Sequence, residues 1–188
     1  MAEEVESDSI KISGLAVKNF TNQFSRRKTT QTIQDYLIEE SLVGISDVDT
    51  RAIVRHIRSK GAMNCIISSE TTDIDVLKAK LNEVPDMNGL ELASRVSTTT
   101  PYYIGNSDAE KKVIVYDFGV KKSILDNIAI RGCYLKVVPA KTKFEDTLDF
   151  KADGYFISNG PGDPASMGYA VETVKQILQN DKPLFGIC

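Results

Sequence analysis

Two short stretches carry the residue types that could do chemistry. Cys188 follows the apolar run Pro183-Leu184-Phe185-Gly186-Ile187, which reads as a strand. A thiol at the carboxyl end of a strand, on a sharp turn towards a helix, is where α/β enzymes expose a nucleophile. Its reactive form is the thiolate, favoured near a helix N-terminus or beside a histidine. Upstream lies Ser158-Asn159-Gly160-Pro161-Gly162-Asp163-Pro164. Gly160 and Gly162 permit positive φ and remove Cβ, so backbone amides can face an oxyanion or a carboxylate. Pro161 and Pro164 stiffen the loop. Together the two stretches suggest a thiol enzyme acting on a small polar substrate. The bland alternatives are a buried apolar cysteine and an ordinary strand-to-helix turn.

Other candidates carry less. No Gly-Lys-Ser/Thr follows the glycine loop, so it is not a P-loop. Asp117-Phe118-Gly119 lacks the His-Arg-Asp loop and strand lysine of a kinase, and Asp117 reads as a cap of the following helix or an edge of the site. His56, the only histidine, lies on a helix between Arg55 and Arg58 and reads as partly exposed and structural. Cys65 and Cys133 fall in or near strand candidates and read as core residues.

The elements that must position the cysteine and the loop alternate along the second half of the chain. Strands are expected at Val113–Tyr116, Tyr134–Val138, Gly154–Ser158 and Pro183–Ile187. Helices are expected near residues 121–131 and 169–178, with a shorter helical stretch near 144–150. Alternation of strand and helix means parallel strands joined by crossover helices, with ligands bound beyond the strands' carboxyl ends. Asp117, the 159–164 loop and Cys188 all fall at such ends. The first half reads as a smaller α+β unit. It holds strand candidates at Ile10–Val17 and Asn64–Ser68 and helices near 30–41, 49–60 and 75–82. Asp49 is the expected N-cap of the second helix and Gly61 its stop. The boundaries are 1–97 for the first domain, 98–111 for a linker rich in turn formers, and 112–188 for the second domain.

Composition excludes several classes. The net charge is −3 over 188 residues, with scattered basic residues and no footprint for nucleic acid. Arg26-Arg27-Lys28 is the one basic cluster and reads as solvated. No apolar run is long enough to span a membrane, and the acidic start is unlike a secretory signal. Three widely spaced cysteines fit a reducing compartment better than a disulfide framework or a zinc site. The cytoplasm is the expected location.

The motifs resemble a known family. Val113–Val120 (VIVYDFGV), Ser158–Pro164 (SNGPGDP) and Phe185–Cys188 (FGIC) look like the class I amidotransferase domain of the glutamine-hydrolysing carbamoyl-phosphate synthase small chain. Asp47–Met63 (DVDTRAIVRHIRSKGAM) and Met87–Ala93 (MNGLELA) resemble that family's smaller N-terminal domain. The resemblance implies glutamine hydrolysis through a cysteinyl thioester, with Cys188 as nucleophile and the backbones of Gly160 and Gly162 on the glutamine. It implies a large synthetase chain as partner, which uses ATP and Mg with bicarbonate to make carbamoyl phosphate for arginine and pyrimidine synthesis. No cofactor or metal is expected in this chain itself. Measured against the family pattern, the sequence is expected to be truncated at both ends. The opening strands, a glutamine-contacting serine and the His and Glu partners of the nucleophile have no counterpart. Such a chain is expected not to turn over glutamine efficiently alone. Two other readings stay open: a class I amidotransferase for anthranilate or GMP synthesis, and a non-catalytic module that docks on a synthetase chain.

Overall fold

The computed structural model describes residues 10, 12–23, 31–86 and 89–187. Cys188 and the Arg26-Arg27-Lys28 cluster lie outside the described residues. The chain forms two compact units, Met1–Met87 and Asn88–Cys188.

In the first unit, strands β1 (Gly14–Ala16) and β2 (Val43–Ile45) pair in parallel. Gly14 is packed so closely on Val43 and Ile67 that a Cβ would lie 3.1 Å from the Val43 oxygen. Helix α1 (Ile33–Glu39) is capped by Thr32, whose hydroxyl accepts the Asp35 amide, and it buries Leu37. Leu37 is the only buried apolar side chain of this unit among the described residues. Helix α2 (Thr50–Lys60) starts on Asp49, which accepts the Ala52 amide, and stops at Gly61 with φ of 91°. His56 is exposed on it. Helix α3 (Ile74–Asn82) is capped by Asp73. The expected strand at 64–68 does not form. The Asn64 side chain instead donates to the carbonyls of Val84 and Pro85. Cys65 is exposed, which corrects its reading as a core residue.

The second unit is an α/β layer structure. It contains α4 (Ala93–Val96), β3 (Tyr102–Ile104), β4 (Lys111–Asp117), α5 (Lys122–Ile130), β5 (Cys133–Pro139), β6 (Gly154–Ile157), α6 (Gly168–Gln179) and β7 (Leu184–Gly186). The strands form one sheet of order β3-β5-β4-β6-β7, parallel throughout except for β3, which pairs antiparallel to β5. The 98–111 stretch therefore carries an edge strand among its turn formers. Tyr102 and Tyr103 supply the β-favouring side chains, and Tyr103 stacks on Tyr134 of β5 at 5.6 Å between ring centroids.

Strand β4 is apolar on both faces because both are covered. Val115 packs with Leu125 of α5, Leu135, Val137 and Phe156 on one side. Ile114 and Tyr116 pack with Val138, Tyr155 and Ile177 of α6 on the other. Successive residues of a strand point to opposite faces, so this alternation sets α5 and α6 on opposite sides of the sheet. The stretch near 144–150 is a 3-10 helix, Glu145–Phe150. No helix among the described residues is long and apolar enough to cross a membrane.

Candidate active site

The parallel register brings three chain segments to the carboxyl edge of the sheet. The first is the turn after β4. Asp117 is buried, and its carboxylate accepts the amides of Thr98 at 2.7 Å and of Gly119 and Val120 at 2.9 Å each. Asp117 thus caps the turn itself rather than α5, whose N-cap Lys121 makes no side-chain bond.

The second is the glycine loop. Ser158 is buried at the end of β6. Its hydroxyl accepts the Phe118 amide at 2.9 Å and donates to the Asn159 carbonyl. Gly160 then lies directly on the β4 turn, where a Cβ would fall 2.1 Å from the Phe118 oxygen. Gly162 has φ of 98°, and a Cβ there would fall 2.8 Å from the Leu90 oxygen and 3.0 Å from the Leu92 nitrogen. Each missing Cβ therefore admits a neighbouring backbone of the same chain. The amides of Asn159, Gly160 and Gly162 have no hydrogen-bond acceptor among the described residues. The Asn159 side-chain oxygen is buried and likewise has no partner among them.

The third segment is the end of β7. Its register pairs Gly186 with Ile157, and the Ile187 amide donates to the Ile157 carbonyl at 3.1 Å. The residue before Cys188 therefore sits beside the start of the glycine loop. Gly160 and Gly162 are brought together at this edge, whereas His56 belongs to the other unit.

A fourth segment was not legible as part of the site. Residues 89–92 run antiparallel to the glycine loop, with an isolated bridge between Glu91 and Gly162. The Asp163 amide donates to the Leu90 carbonyl at 3.1 Å, and the Asp163 carboxylate accepts the amides of Gly89 and Ala165. Glu91 itself is tightly held. It accepts the Ser94 amide at 2.8 Å, the Ser94 hydroxyl and the Tyr169 hydroxyl at 2.9 Å, and Lys141 lies 3.7 Å away. The Ser94 hydroxyl above all, with the Ser94 amide, Tyr169 and Lys141, holds its carboxyl at about 2, although burial opposes this. Burial, reinforced by the Glu91 carboxylate, raises the Tyr169 hydroxyl. Among the described residues no group of three or more His, Cys, Asp or Glu is placed to hold a metal ion.

Comparison with known proteins gives this arrangement a family. The profile of the class-I glutamine amidotransferases matches residues 114–188, and that of the carbamoyl-phosphate synthase small chain CPSase domain matches residues 1–67. The carbamoyl phosphate synthase small chain of Chlorobaculum tepidum is 39% identical over 185 residues, covering 97% of this chain and 50% of that protein. The Vibrio vulnificus small chain is 39% identical over 203 residues, covering 100% of this chain and 54% of the relative. The small chain of Porphyra purpurea is 38% identical over 202 residues, with 100% and 53% covered. The chain belongs to the carbamoyl-phosphate synthase small chain family. It spans about half the length of these relatives. Its second unit has the mostly parallel α/β sheet of a class I glutamine amidotransferase. The match over residues 1–67 favours this family over amidotransferases of anthranilate or GMP synthesis.

Proposed function

We propose that this chain binds glutamine at its glycine loop, as the amidotransferase part of a carbamoyl-phosphate synthase small chain. Cys188 is the nucleophile that attacks the glutamine side-chain carbonyl and forms a cysteinyl thioester, releasing ammonia. The backbones of Gly160 and Gly162 hold the substrate. The ammonia passes to a large synthetase chain, where ATP and Mg drive carbamoyl phosphate synthesis. The observation that supports this reading is that the Asn159, Gly160 and Gly162 amides, free of acceptors among the described residues, follow β6, whose last residue Ile157 accepts the Ile187 amide. Proton transfer from the thiol needs a base within hydrogen-bond reach.

The test is covalent labelling with a diazo-ketone analogue of glutamine, located by peptide mass spectrometry, alongside capture of a large synthetase chain. Labelling at Cys188 that glutamine competes away and Cys188→Ser abolishes is the expected result. Capture of the synthetase chain without any labelling would instead make the chain a docking module.

A further inference from the structure

We propose that Glu91 is the positioning residue of the glycine loop, fixing the Gly160 and Gly162 amides in the geometry that receives the substrate. This rests on the glutamine reading above. The loop is held from beneath by β6 and the β4 turn, through Ser158 and the contact of Gly160 with Phe118. Its other flank, from Gly162 to Asp163, is held by residues 89–92. Those residues lie outside the sheet, and Glu91 anchors them. Its Oε1 accepts from Ser94 and Tyr169, and its Oε2 accepts from the Ser94 hydroxyl and faces Lys141. Tyr169 closes the circuit. It sits near the start of α6, its ring meets Phe118 edge-on at 6.3 Å, and Lys141 lies over its face at 5.7 Å. One carboxylate thus joins the 89–96 segment, α6 and the turn on which Gly160 rests. Ala93, fully buried in the core, pins the far end of that segment, so loss of Glu91 frees the end against the glycine loop.

Residue-resolved amide hydrogen exchange of the 188-residue chain tests this, with an L-glutamine titration read at the Gly160 and Gly162 amides. In Glu91→Ala the Asp163 amide, which bonds Leu90, is expected to exchange about tenfold faster or more, the scale of one lost charge-assisted hydrogen bond. The Val115 amide in β4 stays within about twofold of the parent, as local opening requires. Glu91→Gln keeps the side-chain carbonyl as an acceptor and restores most of the protection. Glutamine affinity at the two glycine amides falls about fivefold or more in Glu91→Ala and recovers in Glu91→Gln, the mark of lost pre-organisation. Unchanged Asp163 exchange in Glu91→Ala, with Val115 intact, overturns the proposal. Should Glu91→Ala also release Val115, Tyr169→Phe decides by the same criterion, since it removes one hydroxyl and keeps the ring. If L-glutamine moves neither glycine amide in the parent chain, the glutamine reading fails, and the exchange result alone decides the role of Glu91.

Discussion

Adding one methyl group at Gly160 should damage this fold more than its chemistry suggests. In Gly160→Ala the new carbon would lie 2.1 Å from the Phe118 oxygen, 2.8 Å from its Cβ and 2.9 Å from its carbonyl carbon. Carbon atoms in good contact sit about 3.5 Å or more apart, so the two segments must separate by roughly 1 Å. Neither segment yields readily. The Phe118 amide is bonded to the buried Ser158 hydroxyl, and the following two amides are bonded to Asp117. Overpacking typically costs about 1–3 kcal/mol, and backbone on both sides argues for the upper end, about 3 kcal/mol. For a chain of this size that lowers Tm by about 6–12 °C. Gly168→Ala is the matched control. Gly168 opens α6, has no positive φ and has nothing within 4 Å of the point where a Cβ would sit. Alanine there should be neutral or gain about 0.5 kcal/mol. Urea unfolding and thermal scans by circular dichroism, with Val115 exchange as the local probe, read both. A Gly160→Ala chain melting within about 2 °C of the parent would refute the close-packing account of this loop.

Other outcomes follow from neighbouring residues. Asp117→Ala strips three part-buried amides of their acceptor and should cost about 2–3 kcal/mol in urea unfolding, with partial recovery in Asp117→Asn. Glu91 titrates at about 2 in the folded chain against an ordinary 4.5. Its stabilising effect is therefore complete above about pH 5 and is lost as pH falls towards 2. With a side chain 22% exposed, we expect about 1–2 kcal/mol after allowing for solvent screening. The urea midpoints of the parent and Glu91→Gln should converge over that window, and a constant gap down to pH 2 would contradict the assignment. Phe185 is 65% exposed on β7, the sheet edge in the described residues. Phe185→Glu should reduce any self-association read by sedimentation velocity, because it places a charge on an apolar edge that is unpaired among the described residues.

The second unit was legible in the sequence because its signals are local. Val113–Tyr116 is a continuous apolar run, Gly132 and Pro139 bracket the second strand, and the SNGPGDP loop announces its own turn. The edge strand Tyr102–Ile104 was hidden because its three residues sit among Thr, Pro, Gly and Asn, and only pairing with β5 makes them a strand. The opposite error occurred at 64–68, where an apolar run has the right residue types but no partner strand among the described residues. Cys65 misled for the same reason. Glu91 is not legible in the sequence because its contacts are non-local. Its partner Tyr169 lies 78 positions away, and nothing in the spacing of a glutamate and a tyrosine reports a hydrogen bond across that distance. The carboxyl-edge grouping of the glycine loop and Ile187 was inferable, since it depends only on parallel strands and their order.

The strand order β3-β5-β4-β6-β7 has a bearing on how the chain is made. Translation proceeds from β3 to β7, and domains tend to fold as they emerge. Once β5 has emerged, β3, β4 and β5 can zip into a three-stranded seed. Each later strand then adds to the outside of the growing sheet, β6 on β4 and β7 on β6, and no finished ladder has to open to admit a latecomer. Beyond the β3-β5-β4 seed, the ribosome can therefore deliver this unit strand by strand, with each new strand at the open margin.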